Sequence, residues 1–281
     1  MTKNKGRASW RCIVLIKPVP DPALFGKLRL DPDTMLLRRD EVPSVLDPLD
    51  RGAIEAALGL RRRHGGKVAV ITMAPPSASE QLLEALALGC DRAFLLTDKA
   101  FAGADTLATA RTLAAGVRKA GRFDLVLCGA WSADGSTAQV GPQLAELLGL
   151  PDLVCASGVE LRGGKVRAQC LRERGTALLE ASRPAVVTVH AGSDAPRLAP
   201  LGGLPAALRS KVTVWSARDL GLKPGQVGLA GSPTRMLNVF VPSAARKGEL
   251  LQGTADEVAS QLLDRLRHER LLPTTAKGGS R

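Results

Sequence analysis

Asp124-Leu125-Val126-Leu127-Cys128-Gly129-Ala130-Trp131-Ser132-Ala133-Asp134-Gly135-Ser136-Thr137-Ala138-Gln139-Val140-Gly141-Pro142 passes from a short apolar run, through a loop of small residues, into a helical pattern. The run 124–129 is continuous rather than alternating, as in a strand buried on both faces, and the spacing beyond the loop predicts a helix over Ser136–Gly149. The chain repeats this unit. Strands are predicted at Cys12–Lys17, Lys67–Met73, Ala93–Thr97 and Ala185–His190, with helices over Asp50–His64, Ser77–Gly89 and Asp105–Ala120. In the first helix Ala53, Ile54, Ala57 and Leu58 form one stripe. Arg61 to His64 fill its last turn, where cations suit the helix dipole, and Gly65-Gly66 stops it. Such alternation predicts an α/β fold, a doubly wound, Rossmann-like parallel sheet, over residues 11–190.

Outside that core the texture changes. Lys27–Leu30 and Met35–Arg38 flank Asp31-Pro32-Asp33-Thr34 and read as a small inserted hairpin. Residues 191–253 are rich in Gly and Pro without a helical period, which predicts an extended C-terminal arm rather than a second domain. A terminal helix is expected over 254–272, with Thr254 and Glu257 as a capping box and Val258, Leu262 and Leu266 on one face. The tail 273–281 is expected to be disordered.

Composition narrows the function. The 281 residues are 45% hydrophobic and 23% charged, enough to bury a core and, at this length, one large domain with appendages. No run approaches the roughly 18 apolar residues of a membrane span. The basic N-terminus lacks an apolar leader, so a cytoplasmic location is expected. Five cysteines at irregular spacings form no CxxC pair, and His64, His190 and His268 are scattered, which leaves metal and disulfide readings weak. The formal net charge of +12 raises nucleic-acid binding, but the cations are dispersed and aromatics are few, with no Tyr, so no nucleic-acid partner is expected.

In an open α/β sheet a ligand binds beyond the carboxyl ends of the strands. Those ends are Lys17-Pro18-Val19, Leu46-Asp47-Pro48-Leu49-Asp50, Met73-Ala74-Pro75 and the loop after Cys128. That last loop offers successive backbone N–H groups, a helix N-terminus and the hydroxyls of Ser136 and Thr137, a combination suited to phosphate. A purely structural reading stands beside it, in which Gly129 and Gly135 permit a tight turn and Ser136 or Thr137 is an ordinary N-cap. Neither a Walker lysine nor a GxGxxG is present.

The segment 124–149, including Ala145-Glu146-Leu147-Leu148-Gly149, resembles the nucleotide-binding stretch of electron transfer flavoprotein beta subunits. So, in the same order, do Val14-Leu15-Ile16-Lys17-Pro18-Val19-Pro20-Asp21, Asp47-Pro48 before Glu55-Ala56-Ala57, Ala85-Leu86-Ala87-Leu88-Gly89-Cys90-Asp91-Arg92-Ala93, Arg172-Glu173, Pro184–Val189, Pro196-Arg197 and Gly231-Ser232-Pro233-Thr234. The resemblance spans Arg11 to Val241. It departs at Trp131, Ser136 and Asp47, where the family usually has Gln, Asp and Asn, and is shortened at Arg174–Ala177.

The resemblance implies a protein that works as half of a heterodimer with an alpha subunit. FAD is held by, or shared with, that partner, and an adenine nucleotide, AMP or a second FAD, sits in this chain. Implied cofactor-binding positions are Leu15, Lys17, Asp47, Pro48, Leu49, Asp50, Met73, Gly129, Asp134, Gly135, Ser136, Thr137, Ala138, Gln139 and Val140. Ala138 is similar to members that hold a second FAD, where AMP carriers often have Gly. No catalytic residue and no metal is implied, since the chemistry belongs to the cofactor. Asp134 beside a phosphate is expected to turn its carboxylate back onto loop N–H groups. A recognition loop at Ala195–Ala206 would dock a flavin dehydrogenase donor through Pro196, Arg197 and Leu201, the alternative being a plain surface loop with Leu201 buried against its own chain. Only Arg209 and Lys211 stand where members carry a run of lysines. Electrons would pass to a quinone-linked acceptor. Two other readings are a subunit of an electron-bifurcating flavoprotein that uses NADH, and a stand-alone adenine-nucleotide-binding module. The apolar residues of Met236–Val241 argue against the last, because they need a partner surface.

Overall fold

The computed structural model describes residues 10–29, 38, 41–190, 197–235 and 248–272. They fall in two compact units, 1–237 and 238–281. The predicted hairpin turn, Pro196, the apolar stretch from Met236 and the tail from Pro273 lie outside the described residues.

In the first unit the strands are β1 (Arg11–Leu15), β2 (Pro18–Pro20), β3 (Ser44–Leu46), β4 (Lys67–Met73), β5 (Arg92–Leu96), β6 (Leu125–Gly129), β7 (Asp152–Arg162), β8 (Lys165–Arg172), β9 (Gly175–Ser182), β10 (Ala185–Val189) and β11 (Val212–Trp215). Its helices are α1 (Pro48–His64), α2 (Ser79–Leu88), α3 (Thr106–Ala120), α4 (Val140–Leu148) and α5 (Gly203–Arg209). Nine strands form one sheet in the order β11-β5-β4-β1-β6-β10-β7-β8-β9, parallel from β11 to β7 and antiparallel beyond. β2 and β3 pair separately.

Alternation along the strands puts one apolar set on each face. Val14, Val68, Val70, Leu125 and Leu127 pack with Ile54 and Leu58 of α1 and Leu82 and Leu86 of α2. Ile13, Leu15, Ile71, Phe94 and Val126 pack on the other face with Leu113 and Val117 of α3 and Leu144 of α4. Helices on both faces make the sheet doubly wound, as predicted. From β1 the chain steps outward to β4 and β5, then returns to the opposite side with β6. Strand order therefore reverses between β1 and β6, and a ligand is expected at their carboxyl ends.

Three corrections follow. First, no element was predicted for residues 150–184, which form the antiparallel β7–β8–β9 extension. Gly163 and Gly164, at φ 56° and 84°, supply the left-handed pair that a two-residue hairpin turn requires. Second, the expected extended arm is not extended over its described residues. α5 lies against α2, and β11 adds a parallel strand beside β5. Third, α4 begins at Val140 rather than Ser136, for the reason given below.

The second unit contains α6 (Ala255–His268). Thr254 caps it, and the Glu257 carboxylate accepts the Thr254 N–H at 2.8 Å, as the capping box predicted. None of its residues is buried.

Candidate functional site

Lys17 follows β1, Asp47 caps α1, Met73 ends β4, Gly129 ends β6, and the loop Ala130–Gln139 leads to α4. All lie at one edge of the sheet. Hydrogen bonds knit most of them together. The Asp50 carboxylate accepts the backbone N–H groups of Lys17 and Gly129, each at 2.7 Å, and so joins the ends of β1 and β6. Asp47 accepts from the N–H of Leu49 at 2.9 Å and of Ala133 at 2.7 Å, which ties the α1 start to the loop. A Cβ at Gly129 would lie 2.8 Å from Asp50 Oδ1 and 2.9 Å from the Leu49 Cβ, so close approach requires glycine there. Pro48 stands in the first turn of α1, where its missing N–H costs nothing.

Asp134 corrects an expectation. Its side chain is only 2% exposed, and its Oδ1 receives the Lys17 ammonium at 2.6 Å rather than turning back onto loop amides. Lys17 also donates to Ser132 Oγ at 3.2 Å. Burial, and after it the charge of Asp47, push the Asp50 carboxyl up to about 8, while the N–H bonds from Gly129 and Lys17 pull downward.

Within the loop, Ser136 and Ala138 are left-handed, at φ 47° and 56°. Two left-handed residues one apart delay the helix until Val140, so neither Ser136 nor Thr137 is its N-cap. Gln139 holds that position and makes no side-chain cap bond. Instead the Ser136 N–H and hydroxyl return to the Ser132 carbonyl, at 2.9 and 3.0 Å. Among the described residues the N–H groups of Thr137, Ala138 and Gln139 donate to no carbonyl. Left-handed Ala138 followed by right-handed Gln139 at a helix start, with N–H groups that donate to no carbonyl among the described residues, forms an anion-binding nest. Of the acidic residues nearby, Asp134 pairs with Lys17, and Asp47 and Asp50 accept backbone N–H groups. The donor set thus fits a phosphate group.

Leu15 and Met73 stand apart from this network. Their side chains pack in the apolar cluster of Phe94 and Leu144, which leaves backbone as their means of touching an edge ligand. Thr106, whose hydroxyl donates to Gln139 Oε1 at 2.9 Å, was not anticipated. Ser132 stood inside the quoted loop, whereas nothing local marks Thr106.

On another part of the first unit, Arg197 Nε donates to Glu55 Oε2 at 2.8 Å. Leu201 is 94% exposed and Leu198, Leu204 and Leu208 are exposed as well, so burial of Leu201 against its own chain is overturned. Cys12, Cys90, Cys128, Cys155 and Cys170 are free thiols, and the described residues contain no metal-holding cluster. No described helix is long and apolar enough to cross a membrane.

The family model described as the electron transfer flavoprotein domain matches residues 34–220. The electron transfer flavoprotein subunit beta of Thermoanaerobacterium thermosaccharolyticum is 40% identical, covering 92% of this chain and 99% of the relative. The caffeyl-CoA reductase-Etf complex subunit CarD of Acetobacterium woodii is also 40% identical, over 93% and 100%. Protein FixA of Azorhizobium caulinodans is 41% identical, over 89% and 92%. A doubly wound sheet, a phosphate-fitting loop at its switch point and similarity along nearly the whole length lead to one conclusion: the chain belongs to the electron transfer flavoprotein family, on its beta-subunit side.

Proposed function

We propose that this chain is the nucleotide-carrying half of a heterodimeric electron transfer flavoprotein, shuttling electrons in the cytoplasm from flavin dehydrogenases, such as acyl-CoA dehydrogenases, to a quinone-linked acceptor. The observation that carries the reading is the nest at Thr137–Gln139, whose N–H groups donate to no carbonyl among the described residues, in the loop that also holds the Lys17–Asp134 pair. These donors would hold the phosphates of an adenine nucleotide. Flavin, shared with or held by the alpha subunit, supplies the redox ring. The chain's own residues position and neutralise: Asp50 fixes the β1 and β6 ends, Asp47 fixes the loop, and Lys17 offsets charge. No side chain here needs to act as acid, base or nucleophile. Exposed Leu198 and Leu201, with α6 exposing Leu262 and Leu263, support docking and heterodimer roles over a stand-alone module.

A second reading gives the site a second FAD in an electron-bifurcating complex. It is supported by the 40% identity to a subunit named for a caffeyl-CoA reductase-Etf complex, together with Ala138 in the loop. Denaturing the purified heterodimer and identifying the released nucleotides separates the two. One FAD and one AMP per heterodimer supports the simple carrier, two FAD supports bifurcation, and no nucleotide beyond the alpha subunit's FAD overturns both.

A further inference from the structure

Glu55 sits within α1 with its side chain 1% exposed. Its Oε2 accepts from Arg197 Nε at 2.8 Å, and its Oε1 is buried with no hydrogen-bond partner. A carboxylate that far from water needs a counter-charge, and Arg197 supplies one from a half-exposed position. Arg197 also begins the segment that presents Leu198 and Leu201. The far end of that segment is fixed differently. The Gly203 N–H donates to the Pro200 carbonyl at 2.8 Å, and a Cβ on Gly203 would meet the Ala87 carbonyl oxygen of α2 at 2.2 Å. Two anchors on two helices therefore bracket a short exposed loop.

We infer that Arg197 is a positioning residue whose ion pair with Glu55 tethers this loop to α1 and sets the register in which Leu201 is presented to the donor dehydrogenase. The inference rests on the docking reading proposed above. An untethered loop samples more conformations, and docking must then pay the entropy of ordering it. Loss of the tether acts on the encounter and not on the nucleotide, because neither Glu55 nor Arg197 belongs to the network around Lys17 and Asp50.

The test uses the full chain co-expressed with its alpha subunit, an acyl-CoA dehydrogenase as donor, and the variants Arg197→Gln, Arg197→Lys, Leu201→Ala and Arg197→Gln/Leu201→Ala. Arg197→Gln is expected to speed exchange of the Gly203 N–H, which donates to the Pro200 carbonyl, about tenfold and to raise KM about tenfold, with kcat and nucleotide content unchanged. Arg197→Lys, which keeps the charge, is expected to recover part of both. In the Leu201→Ala background, Arg197→Gln should add less than about twofold, because both changes act through one contact. Unchanged exchange in Arg197→Gln overturns the tether. Additive KM effects overturn action through Leu201. If Leu201→Ala leaves KM unchanged, the docking reading falls, and exchange rates alone decide the tether. Should Arg197→Gln fail to fold with Glu55 uncompensated, Glu55→Gln/Arg197→Gln removes both charges and is read by the same measurements.

Discussion

Lys17 and Asp134, one after β1 and the other after β6, meet at 2.6 Å across the point where strand order reverses. The acid is buried and the ammonium partly exposed, so the pair holds a negative charge inside a loop whose backbone is arranged for anions.

Removing the cation alone is therefore worse than removing both charges. Lys17→Met is expected to cost about 1–2 kcal/mol of stability and most of the bound nucleotide, since Asp134 would then repel a phosphate. Lys17→Met/Asp134→Asn is expected to recover nucleotide content. Urea midpoints and nucleotide released per heterodimer check both, and equal loss in single and double variants would show that Asp134 does not oppose the ligand.

Thr137→Glu is expected to expel the nucleotide while leaving the fold intact. The residue lies between left-handed Ser136 and Ala138, where a carboxylate would compete for the N–H groups that serve a phosphate. Full nucleotide content in the purified variant would place the site elsewhere.

Stability is expected to fall with rising pH through Asp50. Its carboxyl is pushed from the ordinary 3.8 up to about 8, chiefly by burial, so the folded state binds its proton more tightly than the unfolded state. The contribution is complete at pH below the unfolded value and is lost as pH rises through the window from 3.8 to about 8. The slope is at most about 1.4 kcal/mol per pH unit. Chemical denaturation across that window should flatten in Asp50→Asn, and an unchanged slope would assign the dependence to another group.

Gly141 tests packing under α4. A Cβ there would lie 2.3 Å from Thr188 Cγ2 on β10, and the Thr188 hydroxyl accepts the Cys155 N–H at 2.9 Å. Gly141→Ala is expected to destabilise by about 1–3 kcal/mol. Gly141→Ala/Thr188→Ser, which removes the methyl but keeps the acceptor, should regain most of it in thermal melts.

Strands β1, β4, β5, β6 and β10 were legible because strands covered on both faces are written as unbroken Val, Ile and Leu runs. The β7–β9 extension carries a fainter signal. Its buried positions include Ala156, Ala168 and Cys170, too small to stand out, and they alternate with Arg167 and Gln169 on a wet face. α5 escaped notice because it is 7 residues long, contains Gly203 and Pro205, and buries only Ala207. At the site, the strand ends and the small-residue loop could be read from composition, and the family resemblance supplied the remaining positions. The Lys17–Asp134 and Arg197–Glu55 pairs could not be read, since each joins residues more than a hundred positions apart. Nor could the left-handed Ser136 and Ala138, which carry no glycine to announce them.

α6 is 14 residues long and draws nothing from a core of its own. Its population rests on its capping box and on charges that suit its dipole, Asp256 and Glu257 at the start and Arg265, Arg267 and His268 at the end. Helices of that length stand near the midpoint of the helix–coil equilibrium in water. A partner surface that covered Val258, Leu262 and Leu266 would supply part of the helix's free energy of formation, and assembly would then be coupled folding. Far-ultraviolet ellipticity should rise on association beyond the sum of the separate subunits, with a negative heat-capacity change, so this segment serves as a built-in gauge of how much of the chain is assembled.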